Sequence, residues 1–407
     1  MNGHSFRAGG ALLLDSYREM NAKRLFWIVL AVSALVVIAF AAVGLGPDGV
    51  TLFGRRTPLE FGTGFETPAT FYKLIYANVG INYWIGWGAM ILALISTAGI
   101  FPDFLASGSV DLYLARPIGR LKLFLIKYAC GLLFVALQAA VFSIASFIVI
   151  GLRGGDWEPG LLLAIPLVVL EFSYLFGVCA LVGTLTRSTT AALVVTLLAW
   201  MVMGGLQTGE RMLLTSNIFN ERRAAIIDRQ IAQVQERVES PALADAPTTT
   251  QPASTQPVSS LIQRWTSGFA SAFSPPRPTV SGNLQSQLDT LHRQQTSVQN
   301  NLHDSGILYN IVYPIETILP KTTETLDLLE RRLLAAANLP RLPDESDVPT
   351  TPGAPNFRQR RAEYQYAQAS VDLSLRDRPL WWVLGTSIAF EAVVVGAAAW
   401  TFCRRDF

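Results

Sequence analysis

Glu171 and Glu391 are the side chains in this sequence best placed for chemistry, because each lies mid-way along an apolar run where charge is costly. A carboxylate in lipid costs several kcal/mol unless it is protonated or paired, so such groups mark either a polar route or a hydrogen bond between helices. In the first case they line a pathway between two protomers. In the second each accepts a bond from Gln138 or Tyr174, typically worth under about 2 kcal/mol, and this is the plainer reading. No catalytic constellation accompanies them. Three scattered His residues and no Cys/His cluster give no metal site of recognisable spacing. Cys130, Cys179 and Cys403 all lie in or beside apolar runs, so disulfides do not hold the polar part of the chain. There is no G-x-x-x-x-G-K-[ST] loop to cradle phosphates; Gly177 to Thr186 is apolar. The formal charge of +2 speaks against a nucleic-acid partner, which calls for a concentrated basic face.

The elements that must position these carboxylates are six long apolar segments, 25–45, 81–101, 123–151, 161–184, 189–206 and 380–402. At about 1.5 Å rise per residue, roughly 20 helical residues cross a hydrocarbon core of about 30 Å. Backbone amides cannot go unpaired in lipid, so each segment is expected to be a helix. The expected fold class is an all-α polytopic membrane protein of six spans, with a large, mainly helical extracytoplasmic insertion between the fifth and sixth. The first segment follows Lys23 and Arg24, but its apolar run is too long for a signal peptide, so it reads as a retained anchor.

Charge sets the orientation. Arg7, Arg18, Lys23 and Arg24 precede the first span; Arg116, Arg120 and Lys122 follow the second; Arg187 follows the fourth; Arg404 and Arg405 follow the sixth. With six spans these four places share one side, which the positive-inside rule makes cytoplasmic. Both termini and the 102–122 loop then face the cytoplasm, and 207–379 faces outward. Arg376 and Arg378 at the outer edge of the last span run against this, outvoted by the other spans. Tyr83, Trp84, Trp87, Trp381 and Trp382 fall at outer span ends and Trp27 at an inner one, as amphipathic rings at headgroup level would.

Two cytoplasmic elements follow. Leu12, Leu13, Tyr17 and Met20 recur at helical spacing, which predicts a short helix along the inner membrane surface within segment 1–24. In the 102–122 loop Pro117 suits the first turn of a new helix, and Asp111 with Leu114 suits a short helix before it. The result is an elbow of two helical pieces joined at Arg116-Pro117, on which a soluble partner could push.

The block running through Asp103, Gly108, Asp111, Leu114, Arg116-Pro117 and Arg120 to Lys127-Tyr128 resembles the signature of ABC-2-type transporter permeases. Arg18-Glu19 resembles that family's interfacial connecting helix, Leu185-Thr186-Arg187-Ser188 its short inner loop, and Phe402 to Phe407 its usual ending. The segment Ile311 to Lys321 resembles its outer helical hairpin. The likeness covers the first 206 residues and the last 30. It implies a bacterial cytoplasmic-membrane permease, the subunit of an exporter, paired with a second permease copy and driven by a separate ATPase that carries ATP and Mg. Glu19, Asp103, Gly108, Asp111, Arg116, Pro117 and Arg120 would then shape the contact with the ATPase. Phospholipid anchoring is the simpler role for the arginines taken singly. This chain departs from the family in the size of its 207–379 region.

Within that region Ile227, Ile231, Val234 and Val238 share one face of a helix expected over 219–238. Leu284, Leu288, Leu291, Val298 and Leu302 follow a heptad with Gln295 in the vacant core position, so an antiparallel hairpin is predicted. Pro/Thr/Gln-rich sequence near 241–257 and 343–355 reads as linkers. A function of another class remains open, a non-transporting scaffold or sensor whose outer hairpin binds a partner. An ion-coupled carrier would show internal repeats, and none is evident.

Overall fold

A computed structural model describes residues 24–46, 49–52, 55–56, 68–106, 119–239, 280–336 and 357–404. They are overwhelmingly helical. The first helix, α1, spans Arg24–Ala42 and leads into a small antiparallel sheet of β1 (Val43–Gly46), β2 (Gly49–Leu52) and β3 (Arg55–Arg56). Val43 pairs with Leu52 and Thr51 with Arg56. This sheet departs from the all-α expectation; Val, Thr and Leu between glycines favour extended chain over helix.

Next come α2 (Pro68–Ile75), a π-helical stretch Tyr76–Ala89, α3 (Met90–Thr97) and α4 (Ile100–Ala106). α5 spans Arg120–Gly154, a 3₁₀ turn Pro159–Leu163 leads into α6 (Ala164–Thr186), and α7 spans Thr189–Glu239. The chain continues with α8 (Val280–Ile318), α9 (Thr322–Ala336), α10 (Phe357–Arg376) and α11 (Leu380–Arg404).

Among the described residues five helices are long and apolar enough to cross a membrane: Val79–Leu105, Arg120–Gly154, Pro159–Thr186, Thr189–Glu239 and Leu380–Arg404. The expected first span coincides with α1, whose apolar helical stretch Phe26–Ala39 is shorter than these. The multi-pass helical character read from the sequence is therefore present. The fifth apolar segment does not stop at 206, because α7 runs on to Glu239 without a break.

Contacts divide the chain into two units: Met1–Arg211 with Ile311–Arg341 and Asp372–Phe407, and Met212–Asn310 with Leu342–Val371. The expected 207–379 insertion is thus shared between both. In the first unit α6 is the central helix, packed by α5, α11 and α9. Gly131 lets α5 approach it: a Cβ there would lie 2.5 Å from the Phe176 ring. Tyr128 and Phe172 stack on that ring at centroid distances of 5.1 and 5.3 Å, and Phe101 lies at 6.1 Å. Aromatic pairs of this kind contribute about 0.5–1.5 kcal/mol each beyond burial. The helices alternate in direction. One end gathers Asp103, Arg120, Thr189 and Cys403. At the other, Lys73 pairs with Asp156 at 2.7 Å and Glu158 at 2.5 Å.

In the second unit α7 and α8 pack as antiparallel partners. Ile227, Ile231 and Val298 are buried against Leu288, Leu291 and Leu302. Gln295 Nε2 donates to Asp228 Oδ1 at 2.7 Å, and Ser305 Oγ donates to Asn217 Oδ1. Gln295, read from the heptad as a core filler, instead reaches the exposed flank. Phe219 meets Tyr364 edge-on and Arg222 lies 3.8 Å over the Tyr366 ring, which fixes α10 to α7.

Candidate functional site

Among the described residues of the first unit, three polar sites bear on function. The first is the attachment of the predicted elbow. Glu19, Gly108, Asp111, Arg116 and Pro117 lie outside the described residues. The two ends of the elbow are described. Asp103, exposed on α4, accepts a bond from Thr189 Oγ1 at the start of α7 (3.2 Å). Arg120, first residue of α5, donates to the Cys403 carbonyl at the end of α11 (3.1 Å). Phe104 stacks on Phe402, and Lys127 lies 5.4 Å over the Phe104 ring. Both ends of the 107–118 segment are therefore tied to helix ends of the bundle. Between α6 and α7 the chain reverses through Arg187, held at φ 54° with its N–H donating to Gly183 O.

The second comprises the carboxylates first singled out. Glu391 on α11 faces Tyr128 on α5, whose hydroxyl lies 3.1 Å from Glu391 Oε1 and 2.9 Å from the Ser173 carbonyl of α6. One O–H proton cannot serve two acceptors, so the trio is fully bonded when Glu391 carries a proton and donates it to the tyrosine oxygen. Glu391 of α11 is thus hydrogen-bonded to α5 through Tyr128. Glu171 is buried, and its Oε2 accepts no bond among the described residues. Gln138 of α5, with Ser33, Met90, Phe142 and Val168, lines a cavity of about 20 Å³, the scale of a single water molecule, and its Nε2 donates no bond among the described residues.

The third site was not legible beforehand. α8 ends at Ile318, and the turn through Pro320 and Lys321 leads into α9. The backbone of this turn is held by side chains from two other helices. Gln207 Nε2 donates to Pro320 O at 2.9 Å, Thr323 N donates to Gln207 Oε1 at 3.2 Å, and Lys321 N donates to Ser387 Oγ at 2.9 Å. Around it lies an ionic cluster. Arg378 donates to Glu210 Oε1 at 2.6 Å and Glu324 Oε1 at 2.7 Å, and both carboxylates are buried. Lys321 and Glu316 are also buried, with Nζ 3.6 Å from Glu316 Oε1. Arg211 pairs with Asp327 and approaches Asp372 at 4.0 Å. Arg331 donates to the carbonyls of Leu375 and Arg378, which fixes the chain carrying Arg378.

Glu210, Glu316 and Glu324 come within 4.8 Å of one another, close enough to share a cation. Between Glu210 and Glu324 the Arg378 guanidinium already fills that role. Burial opposes its charge, but the bond to Glu210 and the nearby Glu324 hold its proton more firmly than usual. Burial raises Glu324, with Arg378 and Lys321 opposing. Burial pushes Glu316 up to about 7, against the pull of Lys321 and with the push of Glu210 and Glu324. Glu210 stands three residues past Gln207 on α7, and Arg378 two before α11. They are 168 positions apart in sequence, and only folding brings them together.

No known protein family, curated protein or solved structure matches this chain.

Proposed function

We propose that this chain is the membrane-spanning permease subunit of an ATP-driven ABC-type exporter, acting with a second permease copy and a separate ATPase chain. In this reading the chain crosses a bacterial inner membrane six times, with both termini and the 102–122 elbow at the cytoplasmic face. The observation that carries the reading is the attachment of that elbow. Asp103 ties its start to α7 and Arg120 ties its end to α11, so a push on 107–118 reaches four helix ends at once. The motif series from Asp103 through Gly108, Asp111 and Arg116-Pro117 to Arg120 supports the same assignment, as does the lack of a phosphate-binding loop in the sequence. ATP and Mg belong to the partner, whose closure would swing the two permease halves between inward- and outward-facing states.

The test is coupling. The complex is purified from native membranes through a tag on this chain, placed in liposomes and assayed for ATP hydrolysis. A co-purifying ATPase whose association is lost in Arg116→Glu/Arg120→Glu, with the variant still folded, is the expected result. A chain that purifies without any ATPase, or one whose ATPase ignores the double variant, would point to the scaffold or sensor class instead.

A further inference from the structure

We propose that Glu210, Glu316, Lys321, Glu324 and Arg378 form a buried cation-binding site that takes up one proton, on Glu316, and releases it to convert the α8–α9 turn into a locked ion pair with Lys321. The inference does not depend on the transport reading.

Charge inventory is the first argument. Three buried carboxylates face two buried or half-buried cations, which leaves one negative charge in excess. Of the neighbouring groups, Arg211 stands against Asp327 and Asp372, and Arg331 donates to the carbonyls of Leu375 and Arg378. An uncompensated charge out of water costs several kcal/mol, so the cluster must recruit one positive charge.

Hydrogen bonding says where that charge goes. Glu210 and Glu324 each accept a short bond from Arg378, and one oxygen of Glu324 accepts none among the described residues. Among the described residues neither oxygen of Glu316 accepts a hydrogen bond, and the residue is 1 % exposed. Lys321 does not reach for it either. Its Nζ is placed 3.4 Å from the Glu316 backbone carbonyl and 3.5 Å from Thr386 Oγ1, and lies 5.2 Å over the Trp382 ring. A lysine satisfied by a carbonyl, a hydroxyl and an aromatic face beside an unbonded carboxyl is the pattern of a neutral Glu316.

A divalent metal fits less well, since it would have to displace the Arg378 guanidinium from between two of its carboxylates. A proton needs no such room. The groups facing Glu316 are Glu210 from α7, Lys321 and Glu324 from the turn and α9, and Arg378 from the approach to α11. On deprotonation the first and third repel it and Lys321 attracts it, so the 3.6 Å gap should close. The turn joining α8 to α9 is the element this moves.

The experiment is infrared difference spectroscopy of the full-length protein in lipid, titrated between pH 5 and 9, reading the C=O stretch of protonated carboxyl groups. Expected is a buried-carboxyl band that disappears with a midpoint near 7 and is missing from Glu316→Gln, while Glu171→Gln and Glu391→Gln keep it. In Lys321→Gln the midpoint should rise by at least about one unit, a tenfold gain in proton affinity, because the attraction that favours the anion is gone. Should Glu316→Gln fail to fold, the wild-type titration still decides. Absence of any carboxyl band titrating between pH 6 and 8 overturns the proposal. A titrating band that survives in a folded Glu316→Gln also overturns it. So does a midpoint displaced by millimolar Mg²⁺ or Ca²⁺, which would make this a metal site.

Discussion

The two ends of the helix bundle use polar side chains in opposite ways. At the Asp103 end the hydrogen bonds lie at helix termini: one from Thr189 to an exposed carboxylate, one from half-buried Arg120 to a carbonyl. Hydrogen bonds at or near the surface contribute about 1 kcal/mol each. At the Arg378 end a set of ionisable groups is withdrawn from water and bound to one turn. There the desolvation is already incurred, and removing one partner strands the others. The contrast teaches that the first end can rearrange at low cost, while the second resists rearrangement unless its charge state changes. On the proposed permease reading, the compliant end is the one that would meet the motor.

The comparison can be broken most forcefully at Arg378. Arg378→Ala should lower stability by about 3–5 kcal/mol, seen in thermal unfolding of the detergent-solubilised protein, because Glu210 and Glu324 are left buried without their cation. Adding Glu210→Gln and Glu324→Gln should recover much of the loss. A loss below about 1 kcal/mol would erase the contrast.

The pH dependence is next in size. Glu316 has a folded value of about 7, above the usual carboxyl value of 4.5, so the fold favours the protonated form. Its contribution is fully present below 4.5 and is lost as the pH rises through about 7. Relative to Glu316→Gln, the wild type should lose about 3 kcal/mol across that window, measured as the difference between unfolding free energies at pH 4.5 and pH 8. A difference that stays flat would place Glu316 among ordinary carboxylates.

Gly131→Ala sharpens the comparison from the apolar side, since its Cβ would meet Phe176 at 2.5 Å. Overpacking of this kind costs about 1–3 kcal/mol, and the unfolding midpoint should fall accordingly. The smallest effect belongs to Arg120→Ala, expected to cost about 1 kcal/mol or less. Should it rival Arg378→Ala, the Asp103 end is no more compliant than the other.

Sequence revealed what local pattern encodes. Apolar runs of membrane length, the stripe of Ile227 and Ile231, and the heptad through Leu288 and Leu302 are local signals, and the corresponding helices are present. The end of the fifth segment was not legible, because hydropathy falls at Gln207 while helix-forming residues continue through Glu210 and Arg211. Nor was the sheet after α1, whose strands are only two to four residues long. The ionic cluster was hidden for another reason. Glu210, Glu316, Glu324 and Arg378 look like ordinary flanking charges until folding carries them together, and a single sequence holds no record of that pairing. The charge of Arg378 beside the last apolar segment was visible and read as an anomaly of orientation; its partners explain it. Of the elbow, the two anchors Asp103 and Arg120 are placed, while the residues between them lie outside the described part.

The most direct test of the central claim is which side of the membrane each bundle end occupies. With Cys130, Cys179 and Cys403 replaced by Ala, single cysteines are introduced as Gly119→Cys and Arg153→Cys, both at exposed positions on opposite ends. An impermeant thiol reagent should label Arg153→Cys in intact spheroplasts and Gly119→Cys only in inverted vesicles. Labelling of both from the same side would contradict the six-span arrangement and, with it, the placement of the elbow against a cytoplasmic motor.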